Sequence, residues 1–497
     1  MRKKRLLWNT ISSLGNQVIT IICGFILPRV ILKAYGSDVN GLVSSITQFL
    51  GIIAFLEFGV GAVVQSALYK PLAEKDDCKI SAIVSSSNKF FRKIAIIMFI
   101  YIIVLCAFYP MLISSYDAVS TIILIIAMSI SSFAQYYFGI TNRLLLTADQ
   151  RGYVVYLLQA VTVVTNTVVC SFLIYLGASI QIVKIVTSII YLARPIGQYI
   201  YIRKKYKIDK HIEYLEEPIQ QKWNGLAQHV AAVVLDNTDT IVLTCLSTLE
   251  NVSIYSVYYL VVHGVKQLFL SMTRGIQAML GEMWAKRELK ELHATFSWTE
   301  WVIHTSVVLI FGATLMLIVP FVRVYTYGIN DANYVAPLFA TLLTLAHACH
   351  CLRLPYNIMV LVAGHYRQTQ QVYIVAAIIN ILVSIMTVKN FGLIGVAIGT
   401  LVAMIFQSIW LALYVSKKLI DWPIINSLKQ LIVDIVTVVI CSAVSGGFAL
   451  LKLNYASWVL LSFKTLIVWI AIILIINKIF YPEKIDKVLF FIRKKRE

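Results

Sequence analysis

Long apolar runs alternate along the chain with short charged connections. Runs long enough to cross a bilayer, about 20 residues, begin near residues 8, 41, 89, 119, 153, 180, 224, 254, 298, 337, 370, 393, 429 and 457. They predict about fourteen helices, several longer than the minimum and therefore tilted or extended into the cytoplasm. Between residues 224 and 280 the pattern changes, because two of these spans carry more charge than a span should. Wound as a helix, residues 224–248 place His229, Asp236 and Thr240 on one stripe, with Asp239 beside it. Residues 254–280 gather Ser256, Tyr259, His263, Lys266, Gln267, Arg274 and Gln277 on one face. A charge at mid-bilayer costs roughly 2.5–3.5 kcal/mol, so such residues face a bundle interior or a wet cavity. Two helices with facing polar stripes predict a hydrophilic cavity inside a membrane protein.

Composition points the same way. Of 497 residues, 59% are hydrophobic and only 13% charged, against about 25% charged in soluble domains. The expectation is an all-α, polytopic integral membrane protein. The net charge of +19 sits in short clusters between spans. With the N-terminus placed inside, 32 of the 43 Lys and Arg fall on inner segments and 6 on outer ones. The remaining five, Arg194, Lys266, Arg274, Arg353 and Lys464, lie inside spans. That asymmetry places both termini in the cytoplasm and argues against a nucleic-acid partner. The eight scattered cysteines sit mostly in apolar runs and imply no disulfide framework. The basic start, Arg2 to Arg5, imitates a signal peptide, but Asn9, Asn16 and Gln17 follow and no small-residue cleavage site does. A retained first span is expected.

The longest inner connection, residues 203–222, mixes bases with Glu213, Glu216 and Glu217 and carries Pro218. It divides a six-helix lobe, residues 1–207, from a second, 223–418, with 208–222 as a cytoplasmic linker. Residues 419–497 form an accessory helix hairpin and a basic cytoplasmic tail. The lobes read as weak repeats: Asn9 matches Asn224, Val39 matches Val252, Asn142 matches Asn357 and Asn166 matches Asn380, at offsets of 213–215. An even number of spans per lobe makes the repeats parallel, with the substrate path between them.

The second span and its exit run from Glu57 through Gly59 and Gly61 to Tyr69-Lys70-Pro71-Leu72-Ala73. The opening passes from Asn9 through Pro28-Arg29 to Gly36 and Asn40-Gly41-Leu42. Both stretches resemble the polysaccharide repeat-unit (Wzx-type) flippases of the multidrug/oligosaccharidyl-lipid/polysaccharide (MOP) exporter superfamily. The resemblance implies twelve core helices in two lobes plus two more. It also implies that undecaprenyl-diphosphate-linked oligosaccharides are flipped outward across the cytoplasmic membrane for surface polysaccharide biosynthesis. Membrane lipids and other polysaccharide-assembly proteins are the partners that follow from it.

The residues agree with that chemistry. A lipid diphosphate needs Lys, Arg or protonated His to offset its desolvation. The substrate-binding candidates are Lys266, Arg274 and His263 on one face, with Arg353, Arg29 and His229. The bland alternative pairs each base with a carboxylate, or lets it snorkel, as Arg274 could near the cytoplasmic end of its helix. Asp236, Asp239 and Glu57 could carry H⁺ or Na⁺ as a coupling ion; otherwise they are structural ion-pair partners. Asp434 is expected to be structural. Asn9, Ser12, Ser13, Asn16 and Thr20 form an uncharged stripe that lines the cavity or bonds neighbouring helices. His347-Ala-Cys349-His350-Cys351 looks like a metal cluster, but helical winding turns Cys349 away, so no metal is expected. Gly395 and Gly399 read as a helix-packing contact, and the end from Lys484 to Lys495 as an amphipathic segment on the inner surface.

No phosphate-binding loop or catalytic constellation is present, so no cofactor and no enzyme are expected. The rivals are a MATE-like drug or cation antiporter of the same superfamily, a membrane-embedded glycan polymerase or glycosyltransferase, and a non-transporting scaffold.

Overall fold

The structure is a computed structural model that describes residues 2–57, 60–113, 116–209, 212 and 226–494. Those residues form seventeen α-helices and no strand. They divide into two compact units, Met1–Cys245 and Leu246–Glu497. The expected linker, residues 208–222, lies almost wholly outside the described residues.

The first unit holds α1 (Arg2–Ile52), α2 (Val60–Glu74), α3 (Asp77–Leu112), α4 (Ala118–Ala134), α5 (Ile140–Ala148), α6 (Gly152–Tyr175), α7 (Ile180–Lys205) and nearly all of α8 (Leu226–Leu246). The second holds α9 (Leu249–Ala285), α10 (Leu289–Tyr325), α11 (Pro337–Leu352), α12 (Leu354–Val362), α13 (Tyr366–Phe391), α14 (Leu393–Lys418), α15 (Ile424–Ser445), α16 (Tyr455–Phe480) and α17 (Pro482–Lys494).

Among the described residues, eleven helical stretches are long and apolar enough to cross a membrane. One of them is two spans in sequence, because Gly36, at φ 83°, breaks α1 where a side chain would be strained. The polar helices α8 and α9, 21 and 37 residues long, bring the total to fourteen.

The helix ends follow their sequence signals. Asp76, Asp117, Thr248 and Asn454 each accept a backbone N–H three residues on, satisfying one of the orphan donors of a helix start. Asn9 makes contacts across helices: its Oδ1 accepts from Tyr153 N and its Nδ2 donates to Gln150 O, fastening α1 to the start of α6. The first-helix stripe therefore begins as interhelical glue. Gly395 and Gly399 face α13 so closely that a Cβ on Gly395 would lie 2.7 Å from the Thr387 backbone, and one on Gly399 would meet Ser384 Oγ. The expected packing contact is there.

The two units repeat one packing scheme. In the first, α2 packs on α3 and α5, α3 on α4, α4 on α7, and α7 on α6. In the second, α9 packs on α10 and α12, α10 on α11, α11 on α14, and α14 on α13. Each scheme contains an interrupted span at the matching place. A π-helical turn, Gln135–Gly139, separates α4 from α5, and Arg353 separates α11 from α12. Gly139 and Arg353 stand 214 positions apart, the same offset as Asn166 and Asn380, both buried. Outside this scheme, α15 and α16 pack against α10, and α17 follows with Ile485 buried.

Candidate functional site

In the second unit the α11–α12 break brings two helices' bases together. Lys266 of α9, His347 of α11 and Arg353 at the break are 2%, 4% and 6% exposed. His263 and His350 are half-buried. The groups that act most strongly on the charge of His350 are all bases: Arg353, Lys266, His347 and His263. Around them lies an apolar shell in which Phe269, Cys351 and Leu354 pack with Ile303, Val307 and Phe311 of α10.

Helical spacing explains the assembly. His263, Lys266 and Gln267 recur at i, i+3 and i+4 on α9, so they share one face. His347 and His350 do the same on the last turn of α11, where the chain must change course before Pro355. The residue preceding a proline is displaced from helical geometry and the proline N–H is missing, so a helix tends to end there. Arg353 occupies that corner.

The hydrogen bonds set the proton positions. Arg353 Nη2 lies 2.8 Å from His350 Nδ1. A guanidinium only donates, so Nδ1 accepts and His350 carries its proton on Nε2. Gln267 Nε2 lies 3.1 Å from His263 Nε2. Tyr259 stands between the two helices, its ring 5.0 Å from that of His263 and 5.7 Å, edge-on, from that of His347. A lysine, Lys266, an arginine, Arg353, and three imidazoles thus share an apolar interior. Lys, Arg and imidazole N–H groups are all donors, and an anion with several acceptor oxygens is the kind of ligand such a set suits.

The structure therefore gathers three of the expected substrate residues, Lys266, His263 and Arg353. It adds His347 and His350, from the stretch whose residue types look like a metal cluster in sequence. Among the described residues no group of three or more His, Cys, Asp or Glu is placed to hold a metal. The side chains of Arg274, His229 and Glu57 lie outside the described residues. Arg29, half-buried, Asp236, exposed, and Asp239, 3% exposed, belong to the first unit. Arg194 is held locally: its Nε donates to Thr162 Oγ1 at 2.7 Å and its guanidinium covers the Tyr191 ring.

A second polar centre in this unit was not expected as a site. Glu300 and His304 of α10 meet Tyr356 of α12 and Ser427, Gln430 and Asp434 of α15, all buried. His304 Nδ1 lies 2.6 Å from Asp434 Oδ2, and Gln430 Nε2 donates to Asp434 Oδ1 at 2.9 Å. The hydroxyls of Tyr356 and Ser427 donate to Glu300 Oε1 at 2.5 and 2.6 Å. Asp434 is thus the structural partner expected of it, in richer company. Glu300 and His304 stand one turn apart on one helix face, a signal that helical winding alone could have raised.

No protein-family model matches the chain, and no curated protein is similar to it in sequence. Solved structures are similar in fold. A lipid II flippase MurJ in an inward closed conformation is 15% identical with a TM-score of 0.70, covering 96% of this chain and 99% of that one. An inward-facing multidrug-resistance MATE family transporter of the MOP superfamily is 15% identical with a TM-score of 0.65, covering 82% and 98%. A eukaryotic MATE transporter is 14% identical with a TM-score of 0.59, covering 86% and 98%.

Proposed function

We propose that this chain, which has the fold of the MOP-superfamily transporters, is a flippase for undecaprenyl-diphosphate-linked oligosaccharides. The buried basic cluster of Lys266, Arg353, His263, His347 and His350 carries the reading. A diphosphate offers several acceptor oxygens and at least two negative charges, which Lys and Arg offset and imidazoles can meet by taking up protons. The sugar–diphosphate head would enter the cluster while the lipid tail stays in the bilayer. Residues 1–207 and 223–418 would act as the alternating lobes, with Arg29, Arg274 and His229 as further contacts. Asp236, Asp239 and Glu57 would carry a coupling H⁺ or Na⁺. In this reading the protein sits in the cytoplasmic membrane with both termini inside and serves surface polysaccharide assembly. It does no covalent chemistry on its cargo.

A second reading has one specific observation behind it. Asp239 is a buried carboxylate on a span, and a MATE-like antiporter would use such a group for a cationic drug.

Cells lacking the protein decide between the two. Under the flippase reading, lipid-linked oligosaccharide accumulates facing the cytoplasm. Wild type clears it, and Lys266→Ala with Arg353→Ala does not. Clearance by both proteins would remove the basic cluster from the mechanism. Absence of accumulation, with changed resistance to toxic cations, would transfer the case to the antiporter.

A further inference from the structure

The second polar centre has the composition of a proton site. Two carboxylates and one imidazole lie together in the apolar interior, on helices α10 and α15, with Tyr356 reaching in from α12. If the imidazole is protonated and both acids are ionised, the trio holds one excess negative charge. Taking up a proton at Glu300 cancels it. Donors point at the carboxylate oxygens: O–H groups at Glu300 Oε1, the Gln430 amide and the His304 ring at Asp434. Such donors favour the charged form of a buried acid, so a proton arriving at Glu300 would neutralise a charge that the Tyr356 and Ser427 hydroxyls now stabilise.

The surroundings confine the charge change. Lys484 of α17 and Tyr481 before it are within Coulombic range of Glu300. From α16, Asn477 accepts the Trp301 N–H beside Glu300 at 2.6 Å. From α9, Phe269 packs with Ile303 and Val307 of α10.

The location gives the centre a lever. Tyr356 follows Arg353 on α12 and donates to Glu300, so the α12 side of the α11–α12 break touches the acid–base trio while the break itself carries the basic cluster. We propose that Glu300, His304 and Asp434 form a proton-binding centre whose occupancy shifts the α11–α12 break and thereby couples proton uptake to the basic cluster. The cargo bound there rests on the flippase reading; the proton centre does not.

The test uses the full-length protein reconstituted in lipid. Infrared difference spectroscopy between mildly acidic and mildly alkaline pH reads the carbonyl stretch that a protonated carboxyl has and a carboxylate lacks. Hydrogen exchange of residues 349–357, scaled to intrinsic rates, reads the break. Wild type is expected to show the carboxyl band at acidic pH together with pH-dependent exchange. Glu300→Gln is expected to lose the band and flatten the exchange difference. No pH-dependent band, a band that survives both Glu300→Gln and Asp434→Asn, or an exchange difference unchanged in Glu300→Gln would each overturn the proposal. A purely structural network would give that last result. If Glu300→Gln does not fold, Tyr356→Phe keeps the carboxyl but removes a donor, and its band must shift; an unshifted band overturns the assignment. Undecaprenyl diphosphate binding is measured in parallel. Its failure would sink the flippase reading and leave the infrared and exchange results to stand or fall alone.

Discussion

At the scale of single residues, the informative positions are those whose side chains have no room to differ. A Cβ on Gly312 of α10 would run into the ring of Trp469 of α16, which is fully buried. Gly312→Ala is therefore expected to destabilise by about 1–3 kcal/mol, the range for overpacking. Trp469→Phe combined with it should restore part of the loss, since contacting residues are not additive. Thermal unfolding in detergent closes that cycle, and additive effects would show that the two side chains do not meet. The site was legible to a similar depth. His263, Lys266 and Arg353 could be named because a cation inside an apolar run has few alternatives to a polar interior. His347 and His350 could not be assigned. Their neighbours Cys349 and Cys351 suggest metal chemistry, and nothing local says that α9 supplies bases opposite them. Pro355 was the overlooked clue, since it ends α11 at the corner that Arg353 occupies.

At the scale of elements, the accessory hairpin is held to α10 by polar contacts as much as by apolar ones. The Trp301 N–H donates to Asn477 of α16, the Trp458 N–H to the Leu317 carbonyl, and His304 pairs with Asp434 of α15. Removing one member of a buried pair strands the other charge at about 3–5 kcal/mol. His304→Ala and Asp434→Ala should each lower the unfolding temperature markedly, and the double variant should cost less than the two losses together. Full additivity would mean the pair contributes nothing beyond its separate members. Periodicity could locate α10 and α15 as spans. It could not match a histidine with an aspartate 130 positions away, because that pairing is decided by tertiary packing.

At the scale of the whole molecule, about fourteen helices were readable because a bilayer demands a minimum apolar length. The spans that obey this poorly, α8 and α9, were marked by the same polar residues that draw attention to function. The Lys and Arg asymmetry predicts that both termini lie inside. A green fluorescent protein fused after Glu497 should fluoresce, and alkaline phosphatase fused there should be inactive; the reverse pair would invert the topology. The interrupted span at the matching place in each unit has a historical consequence. If the chain arose by duplication of one ancestral half, both interruptions descend from a single element, and they have since specialised. One is an uncharged π turn from Gln135 to Gly139, and the other carries Arg353 beside His350. Two copies of one break leave a chain free to change the side chains at one of them without altering the other.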